Sequence, residues 1–128
     1  IRTYVKENFD QKEVYFFHNL KDSQIKKFYR NSMFYIFSSF CEVFGLTTLE
    51  AMKNKSPVLV SNYSALPEIN GKAALYFNPN NYNEIKNKMK RLIEDNNLRR
   101  LLKLRGQRHV NKFKWTSTFS NLMKIINY

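Results

Sequence analysis

Apolar residues run along this chain in two rhythms. Short, near-continuous runs at Val14-Tyr15-Phe16-Phe17, Met33-Phe34-Tyr35-Ile36-Phe37, Pro57-Val58-Leu59-Val60-Ser61 and Ala74-Leu75-Tyr76-Phe77 read as strands. In the first two the apolarity is uniform rather than alternating, which predicts burial on both faces, as in a parallel sheet covered by helices. Elsewhere the spacing is helical. Ile25, Phe28 and Tyr29 predict a helix over 22–30, and Leu49-Glu50-Ala51-Met52-Lys53 is made of good helix formers. A short helical turn is expected near 65–69. Asn81 is placed to cap a helix reaching about 95, with Ile85, Met89, Leu92 and Ile93 on one face. A basic helix over about 98–112 rests on Leu98, Leu101 and Leu102, and Trp115-Thr116-Ser117 restarts a terminal helix packing Phe119, Leu122, Met123 and Ile126. After Ile1, residues 2–13 are polar apart from Tyr4, Val5 and Phe9, and read as the tail of a helix and a loop. Strands alternating with helices imply right-handed βαβ units. The fold class is α/β, a Rossmann-like parallel sheet flanked by helices, with a helical C-terminal tail.

Composition narrows this picture. A chain of 128 residues is one domain with a respectable core. With 43% apolar and 16% aromatic residues it is not a disordered segment. No apolar run approaches the roughly 18 residues of a membrane span, and no signal peptide is visible. The single Cys41 excludes an internal disulfide framework and a thiolate zinc cluster, fits a reducing compartment, and is expected to be a small packed residue. His18 and His109 are isolated, and His18 reads as structural; no metal-ligand spacing appears. Because the chain opens on Ile1 rather than methionine, an excerpt of a longer protein is expected.

Charge is unevenly spread. From Lys86 to Lys114 eleven Lys or Arg face only Glu94 and Asp95, so this stretch holds +9 of the formal +12. Such a stretch is a solvated basic face or a surface for anionic partners.

The stretch with chemical content is Ser38-Ser39-Phe40-Cys41-Glu42-Val43-Phe44-Gly45-Leu46-Thr47-Thr48-Leu49-Glu50-Ala51-Met52. It follows a strand, passes through a loop with one glycine and enters a helix, the arrangement by which open α/β sheets bind ligands. Glu42 and Glu50 bracket the turn with seven residues between them. Free amides at a helix start suit a diphosphate, and Gly45 lets the backbone approach closely. Phe44, Gly45, Leu46 and Thr47 are the candidates for that main-chain contact. A vicinal diol is best gripped by a carboxylate accepting two charge-assisted hydrogen bonds.

Glu-x7-Glu around Phe-Gly-Leu, followed by Leu-Glu-Ala-Met, Ser56-Pro57-Val58-Leu59-Val60-Ser61-Asn62, Leu66-Pro67-Glu68 and Gly71-Lys72-Ala73-Ala74-Leu75-Tyr76-Phe77-Asn78-Pro79, resembles the donor site of retaining GT-B glycosyltransferases, the "glycosyl transferases group 1" family. The resemblance runs over roughly residues 14 to 120. It implies that residues 1–128 are a partial C-terminal nucleotide-sugar-binding domain, the C-terminal half of a GT-B fold. An N-terminal acceptor domain, and a first strand-loop unit carrying the Arg and Lys that hold the diphosphate, lie outside it. It implies that Glu50 takes the ribose hydroxyls, and that Glu42 contacts the donor sugar near the reacting carbon and acts in catalysis. The donor is a UDP- or GDP-linked sugar bound as substrate, without metal or other cofactor. The acceptor is a glycan or lipid-linked glycan in surface polysaccharide or lipopolysaccharide synthesis. Cytoplasmic placement follows, peripheral at the inner face of the membrane, with the basic stretch from Lys86 to Lys114 against anionic lipid. No nucleic-acid partner is expected.

Plainer readings stand beside these. Thr47-x-x-Glu50 has capping-box spacing, which would make Glu50 structural. Glu42 also reads as a solvated loop acid, and Glu68 as a first-turn helix acid. Asn62 and Ser64 follow a strand at the site-forming edge, while Phe40 and Phe44 read as core. Three departures from the family pattern stand out: Val43 in place of a small residue, Thr47-Thr48 in place of a proline-containing pair, and no glycine in Lys53-Asn54-Lys55-Ser56, where Asn54 is the candidate for the left-handed residue. The competing functions are a basic nucleic-acid-binding α/β domain, suggested by a pI near 9.9 but lacking a reading motif, and a non-catalytic GT-B partner subunit. A dehydrogenase-like protein is disfavoured by the missing Gly-x-Gly-x-x-Gly.

Overall fold

Three short parallel strands order the chain. The computed structural model describes residues 2–8, 10 and 13–126. Helix α1 (Arg2–Asn8) and α2 (Asp22–Asn31) precede β1 (Tyr35–Phe37), and α3 (Leu46–Lys53) leads to β2 (Val58–Ser61). Helix α4 (Leu66–Asn70) and a 3₁₀ turn (Gly71–Ala73) lead to β3 (Leu75–Phe77), followed by α5 (Tyr82–Glu94), α6 (Asn96–Val110) and α7 (Trp115–Ile126). The sheet order is β1-β2-β3, with Ile36 opposite Leu59 and Val60 opposite Tyr76. The α/β parallel architecture read from the sequence is therefore the one observed.

Strand β2 is central and wholly buried. Its residues alternate between two cores, as a period of two requires. Val58 and Val60 pack with Leu49, Ala51, Met52 and Leu66 on the α3–α4 side. Leu59 packs with Phe77, Leu92 and Leu102 on the α5–α6 side. Burying each such side chain fully contributes about 1.5–3 kcal/mol, so this layer dominates stability.

Several expectations change. Residues 14–17 form no strand: they join no ladder and leave Tyr15, Phe16 and Phe17 exposed. Instead Phe17 meets Phe28 at 4.8 Å, an aromatic cluster that an apolar run alone cannot be told from. Strand β1 is at the sheet edge with Ile36 partly open, so the two-sided burial expected of 14–17 and 33–37 holds for neither; the strand buried throughout is β2. Ile93, Leu101 and Phe28 lie at the margins of their helical faces and are exposed. On α7 the apolar residues Phe119, Leu122, Met123 and Ile126 keep their helical spacing but are exposed, without the packing expected of them. Cys41, Phe40 and Phe44 are likewise exposed rather than core, because the loop they share lies beyond the end of β1. Phe9 lies outside the described residues.

Two helix boundaries follow from local chemistry. Asn81 caps α5, its side-chain oxygen accepting from the Glu84 amide at 3.0 Å. Asp95 caps α6 two residues earlier than the apolar pattern predicts, accepting from the Leu98 amide at 2.8 Å. At the end of α3 it is Lys55, not Asn54, that takes the left-handed conformation, at φ +66°. The Ser56 amide donates to the Ala51 carbonyl at 2.9 Å and the Lys55 amide to the Met52 carbonyl at 3.0 Å, a Schellman motif. Asn54 is needed elsewhere: its amide nitrogen donates to the Glu50 carbonyl and its oxygen accepts from Arg30 Nε.

A left-handed L-residue costs roughly 1–2 kcal/mol. Glycine's greater freedom in the unfolded chain takes back about 0.5–1 kcal/mol. Lys55→Gly is therefore expected to stabilise the protein by about 0.5–1 kcal/mol in urea denaturation. A loss of stability would mean that the Lys55 side chain is holding the turn.

Candidate functional site

The loop 38–45 carries the chain from the carboxyl end of β1 into α3. Three anchors fix it. Ser39 Oγ donates to the Cys41 carbonyl at 2.9 Å. Ser64 Oγ donates to the Glu42 carbonyl at 2.8 Å and accepts from the Glu42 amide at 3.4 Å. Gly45 then turns the backbone at φ +79°, where a Cβ would stand 2.7 Å from Leu66 Cδ2. Glycine is required there twice, for the left-handed angle and for the space.

Helix α3 starts at once. The Gly45 carbonyl accepts from both the Thr48 amide (3.0 Å) and Thr48 Oγ1 (2.8 Å), and Thr48 is fully buried. The amides of Gly45, Leu46 and Thr47 find no acceptor among the described residues. Unpaired amides at a helix start carry about half a positive charge together with the macrodipole. With Gly45 as N-cap, Thr47 is the second residue of the helix and Glu50 the fifth. The capping-box reading of Thr47 and Glu50 therefore falls, because neither residue occupies the position that it needs.

Both carboxylates are left over for something else. Glu42 is half-buried and Glu50 exposed, and neither makes a hydrogen bond or ion pair through its side chain among the described residues. One hydroxyl senses both. Tyr35 Oη donates to Thr47 Oγ1 at 3.1 Å. Burial is the main cause that pushes its proton loss above the ordinary tyrosine value; the bonds to Thr47 and Tyr29 pull the other way, and Glu50 and Glu42 add smaller pushes. Tyr29, whose ring meets Tyr35 edge-on at 5.2 Å, is raised by burial first, then by Tyr35 and Glu50. Both acids thus lie within electrostatic reach of the half-buried Tyr35, and Glu50 also of Tyr29. Glu50 opens onto a groove of about 430 Å³ between α2 and α3, with Tyr29, Arg30, Lys26 and Lys53 among its walls.

The remaining candidates sort themselves by position. Phe44 is partly exposed and meets Phe113, beyond α6, edge-on at 6.0 Å. Leu46 and Thr47 are exposed beside the free amides. Val43 is 89% exposed, so its bulk extends into solvent. Ser64, at φ +56°, is committed to the Glu42 main chain, and Asn62 is exposed with its amide on the Phe77 carbonyl. Glu68 is an exposed acid in the first turn of α4. Among the described residues no three His, Cys, Asp or Glu side chains gather as a ligand set. Sequence reasoning missed Tyr35 and Phe113: one read as an ordinary strand residue, the other went unremarked within the basic stretch from Lys86 to Lys114. Neither carries a local signal of its role, since each acts through a residue far away in the chain.

Comparison with known proteins adds a second line. The sequence profile described as "Glycosyl transferases group 1" matches residues 2–109. The chain is 33% identical over 94 residues to the O-antigen chain mannosyltransferase B of Escherichia coli, covering 73% of this chain and 25% of that protein. It is 33% identical over 99 residues to the serotype-specific mannosyltransferase WbdA of Escherichia coli, covering 77% of this chain and 12% of that one. Its fold superposes on sucrose-phosphate synthase from Thermosynechococcus elongatus with a TM-score of 0.87 at 23% identity, over 98% of this chain and 32% of that one. The chain spans a third or less of the length of each of these.

Gly45→Ala tests the helix entrance. The left-handed angle costs an alanine roughly 1–2 kcal/mol. Overpacking against buried Leu66 adds about 1–3 kcal/mol. A loss of about 2–5 kcal/mol in chemical denaturation is expected, and a near-neutral result would show that the loop takes another path.

Proposed function

Because this chain belongs to the glycosyl transferases group 1 family, we propose that it is the donor-binding part of a retaining hexosyltransferase that builds a surface polysaccharide or lipopolysaccharide. The observation that carries the reading is the helix entrance at Gly45, with its three free amides and an unpaired carboxylate on either side. The amides of Gly45, Leu46 and Thr47 receive the diphosphate of a UDP- or GDP-linked sugar. Helix dipole and nearby cations supply the positive charge there, so the proposal needs no metal. Glu50 accepts the ribose diol from the groove between α2 and α3, and Glu42 accepts hydroxyls of the sugar.

Transfer breaks the bond between the anomeric carbon and the phosphate oxygen, and positive charge develops on the sugar. Glu42, half-buried at the lip of the loop, stabilises that charge. The departing phosphate takes the acceptor's proton as the new glycosidic bond forms on the same face. The acceptor is a glycan or lipid-linked glycan presented by another part of the protein, for which this chain offers no site of its own. Cytoplasmic placement at the inner face of the membrane suits such an acceptor. Among the described residues no helix is long and apolar enough to cross a bilayer.

Titration of the full-length protein with UDP, GDP and ADP tests the site. A charge-assisted contact contributes about 1.5–3 kcal/mol. Glu50→Ala is therefore expected to weaken the preferred nucleotide by about tenfold to a hundredfold. Glu42→Ala is expected to lower turnover while leaving nucleotide affinity nearly unchanged. If none of the three nucleotides binds, or if Glu50→Ala binds as well as the parent, the assignment is wrong.

A further inference from the structure

A second concentration of charge lies away from the loop around Gly45 and shares no residue with it. A hollow of about 300 Å³ separates the 3₁₀ turn from the end of α6. One wall is Gly71 and Lys72; the other is Arg105, Arg108, His109 and Lys112. Arg105 and Arg108 lie three residues apart on one face of α6, and Lys112 joins them from the turn just beyond its end. His109 closes the floor between the walls. Its Nε2 is 2.7 Å from the Ile69 carbonyl, and a Cβ on Gly71 would meet its ring at 3.4 Å.

Four cations thus converge on a concavity that no carboxylate lines. None of the four makes an ion pair with a described residue; the ion pair recorded is Lys90 with Glu94 on α5. The dipole at the C-terminus of α6 accounts for the cations of that helix. It does not account for Lys72, which the 3₁₀ turn delivers to the opposite wall. The four side chains are exposed, so water and salt weaken their mutual repulsion, and an anion between the walls would remove what is left of it. The groups are also the right kind: guanidinium forks take phosphate oxygens in pairs, and a lysine adds a point charge.

We propose that this hollow binds a phosphate-bearing anion. Its occupant is a phosphate or diphosphate group, carried by a soluble ligand or by a phospholipid head group. The site is independent of the donor reading, since none of its residues serves the nucleotide-sugar.

The test follows backbone amides of isotope-labelled protein while inorganic pyrophosphate is added, and measures co-sedimentation with phosphatidylcholine vesicles with and without an anionic phospholipid. Pyrophosphate is expected to shift the amides of Lys72, Ala73, Arg105 and His109. Arg105→Gln/Arg108→Gln is expected to weaken that response by about tenfold or more. Lys6→Gln/Lys27→Gln removes the same charge from α1 and α2 and is expected to change it by less than about twofold. Retention on anionic vesicles that is lost in the arginine variant identifies a head group as the source, and a pyrophosphate response without retention identifies a soluble phosphate; either upholds the site. Shifts confined to Gly45 and Leu46, no response to either probe, or equal weakening by the two double variants would overturn it.

Discussion

Leu66 lying against Gly45 is the contact on which the site depends. Leu66 opens α4 and is fully buried, and the backbone of Gly45 comes so close that no side chain fits between them. That approach sets how near the entrance of α3 stands to the connection leaving β2. It also forces the chain through a left-handed turn at the point where the helix begins, which leaves three amides without partners. The Ser64 hydroxyl reinforces the arrangement from the same connection by holding both the amide and the carbonyl of Glu42. Two successive strand-to-helix loops are therefore locked together, and the geometry of the first is set by residues of the second.

The rest of the α/β unit keeps this junction in place. Strand β2 contributes Val58 and Val60 to one core and Leu59 to the other, so α3 and α4 on one side and α5 and Leu102 of α6 on the other are referred to the same strand. Gly106 lets α6 lie against α3, where a Cβ would stand 3.0 Å from Met52 Cγ. From the end of α6, Phe113 reaches Phe44 and so supports the outer side of the loop. Tyr35 does the corresponding work from the sheet edge through Thr47. A rigid scaffold presenting a loop at the carboxyl ends of its strands is the general way in which α/β sheets make sites.

What the sequence disclosed follows from the range over which each signal acts. The central strand, the cap at Asn81 and the glycine at position 45 depend on neighbours within a few residues, so pattern and residue type were enough to place them closely. The run at 14–17 misled because aromatic residues can gather on a surface as well as in a sheet, and periodicity does not separate the two. Asn54 looked like the left-handed residue at the end of α3 because asparagine tolerates that conformation, but its side chain is engaged by Arg30 and the Glu50 carbonyl and the turn falls to Lys55. The spacing of Glu42 and Glu50 was legible, and so was the competing capping box; only the backbone angle at Gly45 decided where the helix starts. The roles of Ser64, Tyr35 and Phe113 needed the tertiary fold, because each joins residues that are distant in the chain.

Two acids beside a helix entrance proposed to bind an anion look like a contradiction in a protein of net charge +12. The contradiction dissolves once the proposed donor is divided into its parts. Main-chain amides hold the phosphates without adding a mobile charge, so they leave the carboxylates to do what amides cannot, which is to accept hydrogen bonds from hydroxyls. Keeping the acids unpaired within the chain preserves that capacity, since an internal ion pair would have to break before a hydroxyl could bind. Among the described residues Lys26, Arg30 and Lys53 border the Glu50 groove without pairing with it, and the larger share of the cations, on α5 and α6, raises the local concentration of anionic ligands without neutralising the glutamates. Charge of both signs is thus separated by function along one small sheet, and the loop between β1 and α3 is where the separation is sharpest.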